Sequence, residues 1–156
     1  MTDRAVLVRE GRPADRAFVA DLGRRTIADS VAPFRHFNPA LVDASFEGLL
    51  DFVYSQPHVL LIADSGERSV GFALLLTAMP DEVTRMPQGF VAYMAVEPSS
   101  RGSGIAKQLL AAAEEEARRQ GLPYMGLMVT EENAAARALY ERSGYLTERR
   151  LLCKPL

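Results

Sequence analysis

Much of what this 156-residue chain lacks removes a class of function. It holds a single cysteine, Cys153, so no disulfide can form within it, and that scarcity suits a reducing compartment. Cys153 itself reads as a small apolar residue of a final strand. The two histidines, His36 and His58, have no cysteine, histidine or carboxylate at metal-ligand spacing, so no metal site is expected. Lysine and arginine number 18 against 20 acidic residues, a net charge of −2, which gives no broad field for nucleic acid or an anionic membrane. The longest largely apolar run, Val70 to Met79, is about half of the roughly 20 residues that cross a bilayer, and the N-terminal MTDRAVLVRE has no signal-peptide core. The expectation is a soluble cytoplasmic protein with residues 1–156 forming one domain near the modal size.

Two nucleotide-binding signatures are also missing. No window supplies the spacing of a phosphate-binding P-loop. A dinucleotide fingerprint fails as well: Gly102 and Gly104 are followed by Lys107 where a third small residue belongs, and Gly121-Leu122-Pro123 stands where an acidic ribose ligand should lie. What is present is a buried-strand pattern, Phe90 to Val96, then Glu97-Pro98-Ser99-Ser100-Arg101-Gly102-Ser103-Gly104, then apolar positions at helical spacing from Ile105. Glycines two apart permit positive φ and close approach of the backbone. The first amides of a helix have no partners inside it, and the aligned peptide dipoles leave that end partly positive. Strand, glycine turn and helix start together predict an anion cradle.

Within that turn, Arg101, Gly104 and Ala106 fill an Arg/Gln-x-x-Gly-x-Gly/Ala pattern that resembles the pyrophosphate-binding motif of the GNAT family of N-acetyltransferases. A second segment is similar to the same family's motif helix: Asn133, Ala136, Tyr140, Gly144 and Tyr145 match its fixed positions. The resemblance covers about residues 57 to 153, and residues 1 to 55 only through their pattern of elements. It implies acetyl-CoA as cosubstrate, with its pyrophosphate on the amides of Arg101, Gly102, Ser103, Gly104, Ile105 and Ala106 and its pantetheine arm along Met94, Ala95 and Val96. It further implies a strand bulge and a backbone amide near Met94 acting as oxyanion donor. Asn133 and Tyr140, two helical turns apart on one face, would meet the cofactor, Tyr140 facing the leaving sulfur. The reaction so implied is direct attack by an amine through a tetrahedral intermediate, with no protein nucleophile. The acceptor would be a primary amine of a small molecule or a protein N-terminus.

The remaining elements follow in order. Ala5 to Val8 is β-leaning, and Pro13 suits the first turn of a helix carrying Phe18 and Leu22. Residues 28 to 39 form a loop before a helix from Ala40 to Tyr54. There Arg24, Arg25, Arg35 and His36, with Phe34 and Phe37, suit either an acidic or aromatic acceptor or a solvated surface around core aromatics. His58 to Ala63 and Val70 to Leu76 are apolar runs joined by a short polar turn, which predicts an antiparallel hairpin. A loop holding Asp81 and Glu82 precedes the central strand, a helix spans Ser103 to Gln120, a strand Met125 to Val129, and a last strand Tyr145 to Cys153. The fold expected is α+β, an α/β/α sandwich whose mixed, mostly antiparallel sheet of about six strands has helices on both faces. Oligomeric state stays open, a homodimer included.

No general base is evident. Many relatives carry a carboxylate on the central strand before the bulge, where this chain has Ala92 and Tyr93. Deprotonating a lysine at pH 7 costs roughly 4.6 kcal/mol, whereas an α-amine costs about 1. That gap favours a weakly basic acceptor, or a water chain ending on Tyr93, Glu97 or Glu82. It also keeps a second class open, a domain that binds acyl-CoA without turnover.

Overall fold

The computed structural model describes residues 5–156. Met1 to Arg4, at the head of the N-terminal stretch read above for a signal peptide, lie outside the described residues. The chain runs through β1 (Val6–Glu10), α1 (Arg16–Thr26), α2 (Pro39–Tyr54), β2 (His58–Ser65), β3 (Arg68–Leu76), β4 (Gly89–Val96), α3 (Ile105–Arg119), β5 (Met125–Leu127) and α4 (Ala134–Arg142). Short 3-10 turns at Pro13–Asp15, Ile27–Ser30 and Pro98–Ser100 join them. The strands form one sheet in sequence order, antiparallel from β1 to β4, with β5 parallel to β4. The predicted hairpin is β2–β3.

Both faces of the sheet are covered, which is why its strands read as unbroken apolar runs rather than alternating ones. Successive side chains of a strand point to opposite faces. Leu60, Ile62, Phe72 and Leu74 meet Val19, Leu22, Phe46 and Leu50 of α1 and α2. Leu61, Ala63, Ala73 and Leu75 meet Ile105, Leu109 and Ala113 of α3. Phe46 and Phe72 are fully enclosed, and truncating either to alanine would cost about 3–5 kcal/mol. Helix α3 packs close to β3 at Gly71: a Cβ there would stand 3.2 Å from Leu109 and 3.4 Å from Ile105 of α3.

The sheet has five strands rather than about six. Tyr145 to Cys153, expected as a last strand, forms none, and Leu146, Leu151 and Leu152 are 90%, 91% and 87% exposed. The run Glu148-Arg149-Arg150 breaks the apolar alternation that a half-buried strand needs. Ion pairs hold this segment instead: Arg149 meets Asp81 at 2.6 Å and Glu82 at 3.1 Å. Cys153 is accordingly exposed, not packed. Strand β5 also stops at Leu127, two residues short of expectation, and α3 begins at Ile105 rather than Ser103. No helix among the described residues is long and apolar enough to cross a membrane.

Candidate active site

The site is built on the end of β4. Between Leu74 and Leu75 the β3–β4 register shifts, so that Leu74 faces Tyr93 while Leu75 faces Val91, and Ala92 is the extra residue of a bulge. Pairing of β4 with β5 covers only Gly89 to Val91. Beyond Val91 no described strand lies beside that edge of β4. Its backbone directions follow from one bond, Glu97 N–H to the Val70 carbonyl at 2.8 Å. In an antiparallel ladder bonded and non-bonded pairs alternate, so Ala95–Phe72 and Tyr93–Leu74 are the bonded pairs. Met94 and Val96 therefore turn their N–H and C=O groups away from β3, toward the open edge. The Val96 carbonyl indeed accepts from Arg101 Nε at 3.3 Å on that side. Met94 N–H is left open where a carbonyl oxygen can meet it.

The turn after β4 keeps its own backbone free. Gly102 and Gly104 have φ of +80° and +82°, the left-handed region that glycine enters without a Cβ penalty. A Cβ at either position would meet nothing within 4 Å, so both face open space. The first helical bond of α3 is Gln108 N–H to the Gly104 carbonyl at 3.1 Å, and no side chain caps the helix start. Ile105, 3% exposed, pins the first turn into the α3-side core. The amides from Gly104 to Lys107 thus lack the intrahelical partners of later turns and aim at unfilled space beside an arginine. This donor set fits a pyrophosphate.

Past β5, α4 brings the second motif. Asn133 accepts from Ala136 N–H at 3.1 Å, so its side chain is the helix cap. Gly144, at φ +90°, ends the helix. Tyr140 stands edge-on to Tyr145 with ring centroids 5.8 Å apart, and burial pushes its phenol above the usual tyrosine range. It is a hydrogen-bond donor at neutral pH. The Tyr145 hydroxyl is buried without a hydrogen-bond partner, and burial beside Glu114 raises its phenol too.

A third element, which sequence reading passed over, is the 3-10 turn Ile27–Ser30 after α1. Asp29 pairs with Arg101 at 3.3 Å, and the Ser30 carbonyl accepts from Thr130 at 2.7 Å. One short turn therefore touches both the cradle arginine and the connection from β5 to α4. Just before it, buried Thr26 donates to the Leu22 carbonyl at 2.8 Å, so the Tyr93 hydroxyl, 2.9 Å away, is the donor to Thr26. Burial raises the Tyr93 phenol more than the Thr26 and Ser30 hydroxyls lower it. Tyr93 stays protonated at neutral pH and its oxygen keeps acceptor capacity. No sequence signal marks these contacts, since they join residues 67 to 100 positions apart.

Of the candidate bases and cations of this face, Glu97, Glu82, Arg24 and Arg25 are engaged. Glu97 takes two bonds from Arg25, at 2.7 and 3.2 Å. Arg24 lies 3.5 Å from Glu47, and Glu82 pairs with Arg149. Asp81 caps its own loop, accepting from Thr84 N–H at 2.6 Å and Thr84 Oγ1 at 2.7 Å. The bonds from Thr84, then that from Arg149, hold its carboxyl well below the usual range.

A bulged central strand that parts from β5, an open glycine turn at a helix start and, past β5, a helix carrying Tyr140 make up the candidate site. The acetyltransferase (GNAT) family model matches residues 26–145, and the chain belongs to that family. Among similar proteins, the mycothiol acetyltransferase of Brachybacterium faecium is 32% identical over 106 residues, 68% of this chain and 31% of that protein. The N-alpha-acetyltransferase 30 of Saccharomyces cerevisiae is 29% identical over 103 residues, 64% of this chain and 58% of the other. The chain thus spans a quarter to three fifths of the length of the curated relatives it first matches. In fold it is similar to a Pyrococcus furiosus protein described as an acetyl transferase, with TM-score 0.82, 24% identity, and 97% and 100% of the two chains covered. It is likewise similar to an aminoglycoside N-acetyltransferase solved with CoA, with TM-score 0.69, 22% identity, and 96% and 98% covered.

Proposed function

We propose that this chain, working as one domain, transfers an acetyl group from acetyl-CoA to a primary amine, on a small molecule or a protein N-terminus. The observation that carries this reading is the open cradle. Two left-handed glycines face empty space at the unpartnered start of α3, beside a strand edge whose Met94 amide is free. Bound acetyl-CoA supplies the activated acyl group as a thioester. The chain's own part is positional and electrostatic. Amides of Gly102 to Ala106 hold the anionic diphosphate, with Arg101 turning from Asp29 to meet it. The outward N–H groups of Met94 and Val96 align the arm, and Met94 N–H stabilises developing negative charge on the carbonyl oxygen.

Tyr140 is the hydrogen-bond donor for the departing sulfur. An ordinary tyrosine, of pKa about 10, is already a weaker acid than a thiol of about 8.5, so full proton transfer is uphill by roughly 2 kcal/mol. Burial of Tyr140 widens that gap. Its part is donation of a hydrogen bond, not delivery of a proton. The test joins two measurements on one preparation: calorimetric titration with acetyl-CoA, and thiol release over a panel of amines. Micromolar binding, about 8 kcal/mol, with amine-dependent thiol release is expected. Absence of binding up to millimolar acetyl-CoA sinks the reading.

A further inference from the structure

We infer that the amine acceptor carries a carboxylate, bound by Arg35. The inference names the substrate class of the acetyl-transfer site and rests on that reading. Between the α1–α2 connection and the C-terminal segment lies a cavity of about 180 Å³ lined by Phe34, Arg35, His36, Cys153 and Pro155. Four arginines around the same rim already have their acids: Arg24 has Glu47, Arg25 has Glu97, Arg101 has Asp29 and Arg149 has Asp81. Arg35, like Arg85 and Arg150, has none among the described residues, and of these three it alone lines the cavity. Its guanidinium lies 5.9 Å from the centroid of the Phe34 ring, which is 46% exposed.

A guanidinium beside an aromatic ring, in an open hollow and without an acid of its own, can take a carboxylate, because its planar fork matches both oxygens. His36 adds a second donor, and the Phe34 ring offers an apolar surface. The volume suits one acid-bearing, ring-sized group. The connection that carries the cavity begins at the site, where Thr26 at the end of α1 bonds Tyr93, the neighbour of Met94. Phe34 is four residues from Ser30, so at most about 14 Å of extended chain separates it from the turn bonded to Thr130.

The experiment compares para-(aminomethyl)benzoate with benzylamine, which share a ring and an amine and differ by one carboxylate. The protein should favour the benzoate in kcat/KM by roughly tenfold or more. Arg35→Gln should bring that ratio toward one by raising KM for the benzoate, while acetyl-CoA affinity and the thermal midpoint hold. Equal use of both amines by the unaltered protein, or a preference that survives Arg35→Gln, overturns the inference. Failure of the transfer reading looks different: acetyl-CoA binds and neither amine releases thiol. The acid site is then judged by titrating para-(aminomethyl)benzoate into the CoA-saturated protein and the Arg35→Gln variant. A Kd weakened tenfold or more in the variant sustains it, and equal affinity or no binding to either refutes it.

Discussion

The cofactor turn and the acceptor rim of this molecule are held by different physics. From Val96 to Gln108 the chain is shaped by its own backbone: left-handed glycines set the turn, Ile105 anchors the helix, and the amides from Gly102 to Lys107 stay unspent. The rim, made of the α1–α2 connection, the β3–β4 loop and the segment after Gly144, is fixed by side chains reaching across the sequence. Asp29 to Arg101, Arg25 to Glu97 and Arg149 to Asp81 are its ties. A region that must receive one unchanging anion can be rigid backbone. A region that adapts to an acceptor can be assembled from ion pairs, each worth about 1 kcal/mol or less where exposed.

The largest effect expected from breaking this contrast is at Gly104. Valine there would force a β-branched residue to φ near +82° and place its methyl groups in the space that the diphosphate needs. Affinity for acetyl-CoA should fall by about a hundredfold or more in calorimetry, while α3 stays folded by circular dichroism. Unchanged affinity would remove the cradle from the mechanism. Next comes Tyr140→Phe, which deletes the hydrogen bond proposed to the sulfur and leaves the ring packed on Tyr145. A fall of roughly a hundredfold in kcat with acetyl-CoA affinity within about twofold is expected. A loss of affinity equal to the loss of rate would instead make Tyr140 a binding residue.

This contrast also explains what the sequence disclosed. The glycine turn, the asparagine cap at Asn133 and the β2–β3 hairpin were legible because each is marked by residues close together in the chain, and helices on both faces followed from the order of elements and the family resemblance. The missing last strand was not. Tyr145 to Cys153 has apolar ends around the charged Glu148-Arg149-Arg150, and the long-range pull of Asp81 and Glu82 on Arg149, which no neighbouring residue announces, sets where it lies. The Ile27–Ser30 turn was read as plain loop for the same reason, since Arg101 and Thr130, its partners, lie far along the chain. Glu97 was read as one possible end of a water chain, and its side chain, 12% exposed, is instead paired with Arg25 of α1.

On the rim, Arg149→Ala tests whether the C-terminal segment shapes the acceptor site. It removes the bonds to Asp81 and Glu82, on a side chain that is 45% exposed. KM for the acceptor should rise by roughly two- to fivefold, the scale of an exposed pair, with acetyl-CoA affinity unchanged. A larger effect on the cofactor than on the acceptor would contradict the division of the molecule into turn and rim.

The smallest expected effect is a pH dependence carried by Asp81. Its carboxyl is held below its unfolded value, first by Thr84 and then by Arg149, so the folded state favours the ionised form. A depressed carboxylate contributes stability that is fully present above the unfolded pKa of about 3.9 and is lost as pH falls through the lower folded value. From neutral pH down to about 5 the thermal midpoint should therefore be insensitive to this group, and below about 4 it should fall. Asp81→Asn should lower the midpoint at neutral pH and flatten part of the acid limb. Glu82→Gln, whose side chain is 80% exposed and which lacks the Thr84 bonds, should leave that limb in place. An acid limb unchanged in Asp81→Asn would mean that the rim is held by something other than this carboxylate, and the ties of the acceptor side would then have to be sought in the Asp29 and Glu97 pairs.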